Sequence, residues 1–131
     1  MLYTKSIYKP KLDSDGLRIS VMSRHTLNDG ISPDLKINES GYDLWLKILS
    51  PPDKLVGDYY KKGLSFEEYR KRYLVYLSEK NIGMEVEKLS KQALGQDITL
   101  LCVEESAEKC HRKILAEECQ KYCSNLRIRH R

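Results

Sequence analysis

DITLLCVEESAEKCHRKILAEECQKYC, residues 97–123, decides the fold, because it reads as a buried strand that runs directly into an amphipathic helix. Residues 98–103 form an apolar, partly β-branched run of strand length, set off by Gly95 and Asp97 before it and by polar residues after it. That is the pattern of an inner strand covered on both faces. Side chains alternate across a sheet, so Ile98, Leu100, Cys102 and Glu104 share one face, with Cys102 and Glu104 together at the carboxyl end. Ser106 is placed to cap the following helix, its hydroxyl accepting a first-turn N–H, and Glu108 adds favourable charge there. With a helix over 106–123 and successive residues about 100° apart, Ala107, His111, Ile114, Leu115 and Tyr122 form one stripe with Cys110 at its edge. His111 then points towards the sheet and Arg112 sideways.

Outward from this unit, the chain keeps switching between the two periodicities. Residues 2–8 and 17–23 hold strand-type side chains, Tyr3, Ile7 and Tyr8 in the first and Ile19, Val21 and Met22 in the second, joined by the turn-rich KPKLDSDG. That link is shorter than the dozen or so residues a parallel crossover usually needs, so the two strands are expected to be antiparallel or not neighbours. Residues 24–41 are polar, and Asn28-Asp29-Gly30 with Ser32-Pro33 mark an ordered surface loop able to cover the sheet edge. Trp45, the single tryptophan, lies in the short apolar piece 43–49 stopped by Pro51-Pro52. It reads as a core anchor, with stacking on a ligand ring as the alternative.

Residues 53–62 offer a short helix ended by Gly63, and Ser65-Phe66-Glu67-Glu68 is a capping box that opens a longer one over 65–79. Phe66, Tyr69, Tyr73, Tyr76 and Leu77 share its buried face, while Glu67, Glu68, Arg70, Lys71 and Arg72 fall outside it. Met84, Val86, Leu89 and Ala93 give a third helix through Leu94 with Gly95 as a left-handed stop, and residues 126–129 make a last short strand. Helix, strand, helix, strand is the order that builds parallel sheets. The expectation is therefore a single α/β domain over residues 1–131, three-layer-like, with a mainly parallel sheet, flanking helices and more helix than strand.

Composition bounds the rest. The 131 residues suffice for one packed core and are too few for two ordinary domains. Apolar residues at 40% and charged residues at 32% describe a globular chain with a heavily charged surface. The balance of 23 basic against 19 acidic residues, +4, is milder than proteins living on phosphate backbones usually carry. The start MLYTKSIYKP has no apolar signal core, and no segment reaches the roughly twenty apolar residues of a membrane span. A soluble, cytoplasmic protein with no membrane partner follows as the expectation, its four cysteines reduced.

Cys102-Val103-Glu104 followed by Cys110-His111-Arg112 resembles the C-[apolar]-E-x-x-P-x-x-C-H-R signature of the Domain of Unknown Function 488 family, with Ala107 where the family commonly has proline. Asp15-Gly16-Leu17-Arg18, Tyr42-Asp43-Leu44-Trp45, Leu49-Ser50-Pro51, and Phe66 with Tyr69-Arg70-Lys71-Arg72-Tyr73 extend the resemblance over most of the chain. One departure stands out: the family's early strand usually ends in an acidic residue with an arginine nearby, and here it ends Val21-Met22-Ser23-Arg24. If that acid is a general base in relatives, this chain lacks it or uses Glu104 instead. The resemblance implies a fold, and the family name records no established activity.

In open parallel sheets ligands collect at the carboxyl ends of strands, beside helix N-termini. A pocket there is expected to gather Arg24, Cys102, Glu104, the amides after Ser106, Cys110, His111 and Arg112. Arg24, Cys102, Ser106 and Arg112 are the expected ligand-binding residues, suited to a small phosphorylated ligand or nucleotide. Cys110, His111 and Glu104 are the candidate catalytic set, with Cys110 the expected most reactive thiol from its place near a helix N-terminus. The spacing is not the Cys-x5-Arg phosphate loop of tyrosine phosphatases. Cys102, Cys110 and His111 fall short of the four ligands of a structural zinc, and Cys119 and Cys123 project to the other side of the helix, so neither metal nor cofactor is expected. Against the catalytic reading, Cys110 can be a packed apolar residue, His111 a neutral imidazole bonded to a sheet carbonyl, and Arg112 a clasp on loop carbonyls. Two other functions are open: a nucleic-acid-binding module using the basic helix 65–79 with Arg127, Arg129, His130 and Arg131, and a regulatory or scaffold protein with no ligand.

Overall fold

The computed structural model describes residues 1–27 and 29–131; Asn28, the first residue of the expected Asn28-Asp29-Gly30 turn, lies outside the described residues. The strands are β1 (Leu2–Ser6), β2 (Leu17–Ser20), β3 (Leu44–Trp45), β4 (Ile98–Cys102) and β5 (Ile128–His130). The helices are α1 (Asp53–Lys61), α2 (Phe66–Leu77), α3 (Lys80–Gly95) and α4 (His111–Tyr122), and helix exceeds strand as expected. The sheet is parallel throughout, in the order β3-β2-β4-β1-β5. β4, buried at every residue, is its middle strand, the place an uninterrupted apolar run requires.

Leu2 and Leu17 flank Ile98, and Thr4 and Ile19 flank Leu100, so these side chains share one face. Apolar residues of all four helices close over it: Leu55 from α1, Tyr69 and Tyr73 from α2, Val86 and Leu89 from α3, and Ile114 and Leu115 from α4. The tyrosine stripe belongs to this core. Tyr73 donates to the Leu49 carbonyl and Tyr76 to the Ile48 carbonyl at 2.5 Å, which is how their polar tips are tolerated there. Ser65 caps α2 as expected, accepting the Glu68 N–H at 3.1 Å.

The opposite face is covered by irregular chain, mainly the link from β1 to β2. β1 and β2 both pair with β4, so they are parallel and not neighbours, which resolves the alternatives left by the short link. The link returns across this face and buries Asp15, which is 0% exposed. Lys5 Nζ reaches its two carboxylate oxygens at 3.1 and 3.0 Å, Arg18 reaches it at 2.5 Å, and the Leu12 N–H at 3.0 Å. Gly16 follows at φ +64°, where an added Cβ would lie 2.2 Å from the Asp97 carbonyl oxygen, so only glycine fits between link and sheet.

Four expectations are corrected. The two early strands stop at Ser6 and Ser20, short of residues 8 and 23. The last helix begins at His111 and not at 106, because the Ser106 hydroxyl accepts the Glu108 N–H at 3.2 Å in a local turn and Cys110, in extended backbone, is the N-cap. Gly95 is the last residue of α3, not a left-handed stop; extended Gln96 ends the helix. Trp45 is 40% exposed on the short edge strand β3 and is no core anchor: it stacks on His25 with ring centres 3.9 Å apart and donates to the Met22 carbonyl at 2.7 Å. No helix of the described residues is long and apolar enough to cross a membrane.

Candidate functional site

A parallel strand followed by a helix brings the strand's carboxyl end next to the helix's first turn. Here that juxtaposition sets Cys102, the last residue of β4, against Cys110 and His111, the cap and first residue of α4. Cys102 Sγ lies 3.7 Å from His111 Nδ1. The other ring nitrogen, Nε2, is 2.6 Å from the Val21 carbonyl. A carbonyl only accepts, so Nε2 carries a hydrogen, and Nδ1 is the ring nitrogen turned towards the sulfurs. Tyr73 meets the imidazole edge-on at 5.8 Å and fixes the ring plane. The donor atoms of Cys102, Cys110 and His111 all lie within 4.8 Å of one another, and all three residues are buried.

The two thiols ionise unequally. Their mutual hydrogen bond draws Cys110 well below the ordinary thiol range, His111 and Arg112 adding to the pull against the cost of burial. The same bond, with burial, pushes Cys102 well above that range. Cys119 sits apart in the core under the helices, and its burial raises it to about 11.

Above this cluster opens a cavity of about 700 Å³, walled by the strand ends, the loop after β2 and α1. Of the expected residues, Arg24, Cys102, Glu104 and His111 line it. Cys110 lies behind Cys102, 2% exposed. Arg112 lies beneath the loop, 0% exposed, with its guanidinium on the Glu104 carbonyl at 2.5 Å, the Glu105 carbonyl at 3.1 Å and Cys110 Sγ at 3.5 Å. Ser106 borders a separate shallow depression with Lys9, Lys113 and Arg131. The structure thus groups four of the seven expected residues around the cavity, keeps Cys110 in contact with them, and sets Ser106 and the Arg112 guanidinium aside.

Other cavity residues went unnoticed in the sequence because they come from separate segments. Tyr60 and Lys61 arrive on α1, and Tyr60 donates to Glu104 Oε1 at 3.0 Å. Tyr8, just past β1, donates to Asp34; burial first, then that carboxylate, push its hydroxyl up to about 12, so it stays a donor at neutral pH. Asp29 accepts from Ser32 and from the Ile31 N–H, bonds that hold its carboxyl down to about 2. Arg24 passes over Gly30, which at φ +74° leaves room for its guanidinium. The cavity therefore presents two cations, Arg24 and Lys61, facing Asp29, Asp34 and Glu104.

The basic surface is largely occupied by internal partners. Arg72 pairs with Asp58 at 3.0 Å and Lys71 with Glu67 at 3.9 Å. Arg131 pairs with Asp15 at 3.3 Å and covers the Tyr3 ring, while His130 bonds Thr4 Oγ1 at 2.6 Å. Arg127 and Arg129 are exposed.

Residues 2–123 match the family model described as the active DUF488-N3 subclade. No curated protein and no solved structure matches the chain.

Proposed function

We propose that this chain, which belongs to the active DUF488-N3 subclade, binds a small phosphorylated ligand such as a nucleotide in the strand-end cavity and carries out thiol-dependent chemistry there. The observation that carries the reading is the cavity itself: about 700 Å³, with Cys102 and His111 at its floor and Arg24 and Lys61 in its wall. That volume is in the range that holds a small molecule, about 300–1,000 Å³. Arg24 and Lys61 suit anionic oxygen, Asp34 and Glu104 suit hydroxyls or amines, and Met22, Leu27 and Val56 supply apolar wall. A nucleotide combines those three surfaces. Glu104, held by Tyr60 and beside Cys102, is the carboxylate available for proton transfer in place of the acid that the early strand lacks.

Melting the reduced protein against nucleotides, sugar phosphates and simple anions tests this. A phosphorylated compound is expected to raise Tm, and Arg24→Ala to remove most of that rise while leaving the unliganded Tm near its original value. A panel with no shift, or a shift that Arg24→Ala keeps in full, would sink the reading. Access also orders the thiols. Although Cys110 is the more readily ionised of the buried pair and the thiol the sequence marks as most reactive, it lies outside the cavity lining, so in chelator-treated protein iodoacetamide followed by peptide mass spectrometry should find partly exposed Cys123 labelled first, then Cys102 ahead of Cys110 and Cys119. Labelling of Cys110 before Cys102 would mean that the cavity does not govern access.

A further inference from the structure

We propose that Cys102 Sγ, Cys110 Sγ and His111 Nδ1 form a binding site for a tetrahedral d-block cation, zinc in the reduced protein, with the fourth position open to the cavity. The three donors already converge: all lie within 4.8 Å of one another, and Cys102 Sγ is 3.7 Å from His111 Nδ1. Zinc–sulfur and zinc–nitrogen bonds of about 2.3 and 2.0–2.1 Å at tetrahedral angles separate sulfur from nitrogen by about 3.6 Å, so almost no movement is needed on that edge. The ligands sit on the end of a central strand and the start of a helix packed on it, where their backbone is held by the fold.

The surroundings match what such an ion requires. His111 gives its Nε2 hydrogen to the Val21 carbonyl at 2.6 Å, the outer bond that fixes the tautomer of a metal-binding histidine and leaves Nδ1 free to ligate. Arg112 directs an N–H at Cys110 Sγ from 3.5 Å, a donor suited to a thiolate. Both thiols lose their protons to solvent on binding, and the cation takes the two sulfur electron pairs. Three protein ligands are one too few for a structural zinc and the usual number for a zinc that keeps a position for water or substrate. Cys102 and His111 line the cavity and Cys110 lies behind them, so the free position faces the space assigned to the ligand. The inference rests on the proposed pocket only for what occupies that position.

The test uses the reduced, metal-stripped full chain titrated with cobalt(II) alone. A single equivalent should produce the visible band of tetrahedral cobalt and a near-ultraviolet thiolate-to-cobalt band, and added zinc should displace both. Cys102→Ser and Cys110→Ser should each lose about half of the thiolate band, in proportion to the sulfur ligands remaining, while Cys123→Ser keeps all of it. The wild-type spectrum decides even if a variant fails to fold. Absence of a thiolate band in the wild type, its full retention in Cys102→Ser, or its loss in Cys123→Ser would overturn the proposal. Failure of the two proposals is separable. An Arg24-dependent ligand shift in cobalt-inert protein removes the metal site alone, and a cobalt band with no ligand shift removes the phosphorylated ligand alone.

Discussion

Replacing Asp15 with asparagine is expected to destabilise the fold by about 3–5 kcal/mol, the cost of leaving buried charge without its partner. Lys5 and Arg18 are 4% and 1% exposed, and both direct their charge at this carboxylate from the interior of the sheet's second face. Asparagine keeps the shape and an acceptor but leaves both cations uncompensated. The pH dependence follows from the same bonds. Burial alone would raise the Asp15 carboxyl, yet the Leu12 N–H, Lys5 and Arg18 together hold it below the usual carboxylate range. A carboxyl lowered in the folded state stabilises it fully above its unfolded value of about 4, and that contribution disappears as pH falls through the folded value. Urea melts of wild type and Asp15→Asn should therefore differ most near neutral pH and converge in acid. Equal stability at neutral pH would mean that the buried pairs contribute nothing net. Adding Lys5→Met to Asp15→Asn should recover part of the loss, since it removes one of the stranded charges.

Arg112→Ala is expected to cost about 2–4 kcal/mol, because it strips hydrogen bonds from the Glu104 and Glu105 carbonyls and leaves them to find other partners. The guanidinium is wholly enclosed, so its loss also empties space under the loop. The variant should melt earlier, and ligand binding should weaken with it, since Glu104 and Cys110 both lean on this clasp. Unchanged stability with abolished ligand binding would instead put the guanidinium in contact with the ligand. In that outcome Arg112 joins Arg24 as an anion-binding residue.

What the sequence disclosed depended on how local the signal was. The apolar run at 98–103 marked an inner strand, which ends one residue earlier at Cys102, because burial on both faces leaves no alternation, and the Phe66, Tyr69, Tyr73 stripe named α2 because its period repeats over three turns. The start of α4 was hidden because Ser106 has a cap's chemistry, yet its hydroxyl closes a local turn on the Glu108 N–H, while Arg112, further along the chain, holds the preceding loop through the Glu104 and Glu105 carbonyls. Trp45 misled through size: a strand of two residues at the sheet edge has only one covered side, and His25 supplies its cover. The Cys102, Cys110 and His111 grouping was legible as a strand-to-helix turn. Tyr8, Asp34, Tyr60 and Lys61 were not, since no local pattern relates a loop after β1 or the end of α1 to the end of β4. Asp15 carried a faint signal that was available: an acid before glycine with arginine three residues on, at the entry to a strand.

The central claim, that a small phosphorylated ligand occupies the strand-end cavity against Cys102, is tested most directly by the rate at which iodoacetamide labels each cysteine of the chelator-treated protein with and without the compound that raises Tm most. Bound ligand covers the one thiol lining the cavity and leaves partly exposed Cys123 alone. At ten times its Kd the compound should slow Cys102 labelling by about tenfold, following simple occupancy, with the Cys123 rate unchanged. Cys102 labelled at the same rate in its presence, or Cys102 and Cys123 slowed equally, would contradict the claim.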